Sequence, residues 1–85
     1  MADKTVLAEF LVNYGPHPWE DAGWQIAFDF GDVQVSIAHV PGAYGTHGVE
    51  LMAWGLFEKP IENVMPWQAF LILNCLLIRY QNGGK

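Results

Sequence analysis

The spacing of apolar residues along this chain changes period twice. Near the start, Val6, Leu7, Phe10, Leu11 and Tyr14 recur at helical spacing, while Thr5, Glu9 and Asn13 fall on the opposite side. Asp3 supplies an N-cap, and Gly15 followed by Pro16 supplies a stop. The pattern predicts a helix over residues 3–14. The segment GPHPWEDAG, residues 15–23, reads as a loop from its Gly and Pro content.

The period then drops to two. In WQIAFDF, residues 24–30, Trp24, Ile26, Phe28 and Phe30 share one face, and Gln25, Ala27 and Asp29 share the other. VQVSIAH, residues 33–39, alternates the same way, with Val33, Val35 and Ile37 on one face. Only Gly31-Asp32 separates the two runs, a dipeptide that suits a two-residue hairpin turn with Gly first. Pairing Phe30 with Val33 also pairs Phe28 with Val35 and Ile26 with Ile37. The two apolar faces therefore coincide, which is an internal check on the register.

PGAYGTHG, residues 41–48, is a Gly-rich loop. VELMAW, residues 49–54, predicts a further strand with Val49, Leu51 and Ala53 inward and Glu50, Met52 and Trp54 outward. Residues 59–66 read as a connection with room for one helical turn. Pro66 then opens a last helix that Asn82-Gly83 ends. The predicted fold is α+β: a three-stranded antiparallel sheet, made of hairpin 24–39 plus strand 49–54, packed against an N-terminal and a C-terminal helix.

Composition narrows this further. With 85 residues, 52% apolar and 15% charged, the chain is expected to form one small folded domain, 1–85, and not a disordered segment. The longest apolar run, Trp67–Ile78, is too short for a membrane span, which needs about 20 residues. Asp3, Lys4 and Glu9 break any signal-peptide pattern. The single cysteine, Cys75, suits a reducing compartment. A soluble cytoplasmic protein is the expectation. The last helix is apolar nearly all round, so it is either enclosed by its own domain or buried against a second chain. The second case predicts a homodimer with Phe70, Leu73, Leu77 and Tyr80 at the interface.

Charge is unevenly placed. The net charge is −5, yet residues 5–58 contain no Lys or Arg and seven carboxylates: Glu9, Glu20, Asp21, Asp29, Asp32, Glu50 and Glu58. That stretch carries −7 and the remainder +2. Such a field favours a basic protein surface and repels nucleic acid, or else serves only solubility. Trp19, Tyr44 and Trp54 are the aromatic residues least explained by a core, and Trp is enriched at binding hot spots. Glu20, Asp21, Asp29, Asp32 and Glu50, together with these aromatics, form the predicted partner-binding set.

Chemistry is harder to find. His17, His39 and His47 show no metal-ligand spacing among themselves or with Cys75, so no metal is expected. Cys75 sits in the apolar run LILNCLLI and reads as a buried, inert thiol. Gly42, Gly45 and Gly48 match no phosphate-binding motif, and Glu20-Asp21 is not a separated acid–base pair. A non-enzymatic protein with no cofactor is expected.

Residues 31–54, GDVQVSIAHVPGAYGTHGVELMAW, resemble a pattern of small bacteriophage-encoded proteins of unassigned function: an aliphatic strand, a P-G-x-Y-G loop, here Pro41-Gly42-Ala43-Tyr44-Gly45, and a strand with Glu among aliphatic residues, here Val49-Glu50-Leu51. The turn Gly31-Asp32 departs from the Asn-Gly type of that pattern, and the last helix is greasier. The resemblance covers about a quarter of the chain and carries over no functional residue. It implies a phage setting, in which small acidic proteins of the anti-CRISPR type occlude basic, nucleic-acid-binding surfaces of host defence complexes. The alternative is a small homo-oligomeric structural or assembly protein joined by its C-terminal helix.

Overall fold

The computed structural model describes residues 7–17, 22–41 and 48–83. Five strands, β1 (Leu11–Pro16), β2 (Trp24–Asp29), β3 (Gln34–His39), β4 (Val49–Trp54) and β5 (Ile61–Val64), precede a C-terminal helix, Pro66–Gln81. The strands form one antiparallel sheet in sequence order, so the fold is α+β.

The β2–β3 hairpin has the expected register, with Ile26 opposite Ile37 and Phe28 opposite Val35. The amide of Phe30 donates to the carbonyl of Val33 at 2.9 Å and closes the turn. Gly31 takes φ +95°, open to glycine and costly for other residues. Across β3 and β4, Val35 meets Ala53 and Ile37 meets Leu51. Each of these core-face residues is fully or almost fully buried. The helix lays Ala69, Leu73, Leu76 and Leu77 on them, and each such large side chain removed from water contributes about 1.5–3 kcal/mol.

Two expectations are corrected. The sheet has five strands and not three, and the predicted helix over 3–14 is not formed as such. Residues 7–9 are helical, Phe10 turns, and residues 11–16 are strand β1; residues 3–6 lie outside the described residues. The helical stripe of Leu7, Phe10, Leu11 and Tyr14 was matched by a stronger offer, the unpaired edge of β2. β1 takes that edge with an irregularity between Leu11 and Asn13, which resets the alternation. Pro16 lacks an amide proton, and an edge strand tolerates that. The second addition, β5, occupies what was expected to be a connection. Its four residues were too few to show a period, and Asn63 at φ +58° kinks it against β4.

The C-terminal helix keeps the expected ends. Pro66 occupies its first turn, the Met65 amide donates to Oε1 of Gln68 at 2.9 Å, and Gly83 follows at φ +81°. One face is buried and the other is not: Leu73 is inaccessible, while Leu71 is 56% exposed. Leu73→Ala is therefore expected to cost about 2–5 kcal/mol and Leu71→Ala under about 1 kcal/mol, read by urea denaturation.

Candidate functional site

The sheet face turned away from the helix carries the polar half of each alternation. Pairing aligns Asp29 with Gln34 and Gln34 with Trp54, so these three form one row across β2, β3 and β4. Two strand spacings put Asp29 about 10 Å from Trp54. Trp54 is 46% exposed. The carboxylate of Asp29 accepts the Gly31 amide at 2.8 Å, which holds it at the mouth of the turn. Asp32 projects from the same turn.

Gly55 fastens this end. It has φ +98°, and a Cβ there would collide with the backbone carbonyl of Asp32. The end of β4 can thus lie directly on the β2–β3 turn, with Gly55 against the Asp32 backbone. On the helix side, the Arg79 guanidinium stands 3.5 Å from the Asp32 carboxylate in a solvent-accessible pair. A cleft of about 450 Å³ lined by Asp32, Tyr80, Gln81 and Gly83 adjoins it. The last-turn carbonyls of Ile78, Arg79 and Tyr80 accept the amides of Asn82 and Gly83, and Arg79 is the cation that complements this end of the helix.

Asp29 and Trp54 therefore share one row, two strands apart, while the Asp32 carboxylate in the adjoining turn pairs with Arg79 on the helix side. Glu50 is not in that row: it lies four residues back along β4, about 13 Å from Trp54, half-buried in the row of Ala38 and Gln25. Trp19, Glu20, Asp21 and Tyr44 lie outside the described residues.

The predicted oligomer set does not form one surface. Leu73 and Leu77 are buried against the chain's own sheet, with Ala69 and Leu76. Tyr80 packs its ring on Phe10 at 4.9 Å and Phe30 at 5.8 Å, and both Tyr80 and Phe70 remain partly exposed. The expected burial of Cys75 is also corrected: Cys75 is exposed, and Trp67 on the same helix is 62% exposed. The sequence placed an apolar residue at almost every helix position, so it held no signal of which side met the sheet.

Two features escaped the sequence reading. One is a polar chain across β1, β2 and β3: the Asn13 amide donates to Oε1 of Gln25 at 2.7 Å, and the Gln25 amide donates to the Ser36 hydroxyl at 2.9 Å. Gln25 and Ser36 are buried, and the chain satisfies them. The other is an aromatic cleft of about 510 Å³ lined by Tyr14, Gly15, Trp24, Ile26 and Phe70. It exists only because Tyr14 is on a strand. The histidine nearby is structural: His39 stacks on Trp24 and bonds the Gly48 carbonyl through Nδ1 at 2.8 Å, so that nitrogen carries the proton.

Comparison with protein-family models, with curated proteins and with solved structures finds no match to this chain. Among the described residues, no group of three or more His, Cys, Asp or Glu is placed to hold a metal ion, and no helix is long and apolar enough to cross a membrane.

The hairpin end separates backbone from surface chemistry. Gly55→Ala is expected to destabilise by more than about 1 kcal/mol, because it adds both a collision and a strained φ. Asp32→Asn is expected to lower the melting temperature by less than about 5 °C, since an exposed ion pair is worth at most about 1 kcal/mol. Thermal unfolding followed by circular dichroism checks both.

Proposed function

We propose that this chain is a non-enzymatic binding protein that docks the end of its β2–β3 hairpin on a basic protein surface. The observation that carries this reading is the row Asp29–Gln34–Trp54 with Asp32 beside it. It sets a large exposed indole in one row with the Asp29 carboxylate, in a stretch of sequence without a single Lys or Arg between residues 5 and 58. An aromatic anchor rimmed by one sign of charge is the composition of a hot spot for an oppositely charged partner. In the setting that the strand–PGxYG–strand pattern implies, the partner is a nucleic-acid-binding surface of a host defence complex, and docking excludes the nucleic acid by occupying its site.

The test uses a column bearing an Arg- and Lys-rich peptide. The full chain is expected to be retained at low salt and released as salt rises, because screening weakens contacts between exposed charges. The variant D29N/D32N/W54A should bind about tenfold more weakly or worse, a loss of about 1.4 kcal/mol. Retention that is indifferent both to salt and to this triple variant overturns the reading.

A further inference from the structure

We propose that the aromatic cleft between β1, β2 and the C-terminal helix is a binding site for a trimethylammonium group. Tyr14, Trp24 and Phe70 form its walls, Gly15 and Ile26 complete the lining, and its volume is about 510 Å³. Small-molecule sites span about 300–1,000 Å³. The sheet register builds two of the walls. Tyr14 pairs with Ile26 and Pro16 with Trp24, so Tyr14 and Trp24 are diagonal neighbours on the helix side of the sheet. Such neighbours lie about 7–8 Å apart. Phe70 supplies the third ring from the helix.

These rings are not spent on one another. Phe10, by contrast, closes on Phe30 at 5.1 Å and on Tyr80 at 4.9 Å. Among the described residues, Tyr14 and Phe70 make no ring contact, and Trp24 stacks on His39 alone. His39 is itself bonded to the Gly48 carbonyl at 2.8 Å, which steadies the indole from behind. Three aromatic walls therefore stand around open space.

The ligand class follows from charge. The segments that line the cleft carry no Lys or Arg: residues 5–58 hold none, and residues 63–78 hold no charged side chain at all. A carboxylate or phosphate ligand finds no cation here. A cation is drawn in by the seven carboxylates of residues 5–58, whose field a neutral ligand does not feel. An ammonium or guanidinium fits poorly, because among the described residues no carboxylate lines the cleft to accept its several N–H groups. A trimethylammonium group carries the charge and has no N–H to satisfy. Its methyl groups can lie on the ring faces, which attract a cation within about 6 Å of the ring centroid. The site shares no residue with Asp29, Asp32 and Trp54, so it stands or falls apart from the docking function.

Titration of the full chain with choline, followed by amide and indole NMR shifts, tests the site. Saturable shifts are expected at residues 14, 15, 24, 26 and 70, with a dissociation constant in the millimolar range. The neutral isostere 3,3-dimethyl-1-butanol should bind at least about threefold more weakly, because it has the same shape without the cation–ring attraction. Tyr14 is 76% exposed, so its variants should keep the native circular dichroism spectrum. Tyr14→Phe should retain binding, and Tyr14→Leu should lose at least about threefold. A short peptide bearing one trimethyl-lysine presents the same group, and whichever of it and choline binds more tightly assigns the source. Equal binding of the neutral isostere overturns the proposal and leaves a plain apolar cleft. So does full choline binding by Tyr14→Leu, or the absence of saturation by about 30 mM choline, where a millimolar site is filled.

Discussion

The β2–β3 hairpin sets the phase of every other strand. A two-residue turn leaves no slack: with Gly31 at positive φ and Phe30 bonded to Val33, Phe28 must face Val35 and Ile26 must face Ile37. A slip by one residue would turn Phe28 and Val35 outward and bring Gln25 and Asp29 into the core. β4 inherits that phase by pairing Leu51 with Ile37. The helix then has one apolar sheet face to cover, and it covers it with Ala69, Leu73, Leu76 and Leu77. The same phase puts Asp29, Gln34 and Trp54 in a single row on the other side. The core and the exposed polar row are two consequences of one register.

The helix is the element whose composition exceeds its task. A sheet-covering helix needs one apolar stripe, and this one carries two. The inner stripe is consumed by the fold. The outer one leaves Trp67, Leu71 and Ile78 exposed.

Legibility followed the length of the periodic signal. Residues 24–39 and 49–54 alternate cleanly, and their strands, faces and register stand in the structure as the sequence predicts. The helix ends were legible because Pro66 and Gly83 are chemically specific. β1 was not, because Leu7, Phe10, Leu11 and Tyr14 satisfy a helical period while the deciding partner, the edge of β2, is distant in sequence. β5 was not, because Ile-Glu-Asn-Val is shorter than two alternations and bends at Asn63. Of the site, Asp29, Asp32 and Trp54 were legible as types and through the hairpin register. The seating of β4 on the turn depended on Gly55, whose role appears only when β4 meets the turn.

The order of elements has a consequence for the chain during synthesis. Each strand pairs with its predecessor, so the sheet can grow hairpin by hairpin as it emerges. Its cover comes last. At about 5–20 residues per second, the 16-residue helix takes roughly one to three seconds to make. Until the helix docks, the apolar face of Phe28, Val35, Ile37 and Leu51 lacks its cover. The nascent sheet is then at its most adhesive, and its outer rims decide whether it captures a neighbour. The irregularity and Pro16 in β1, and the kink at Asn63 in β5, roughen both rims against strand addition. Features that look like defects in a short sheet thus make both of its edges poorer templates for a further strand.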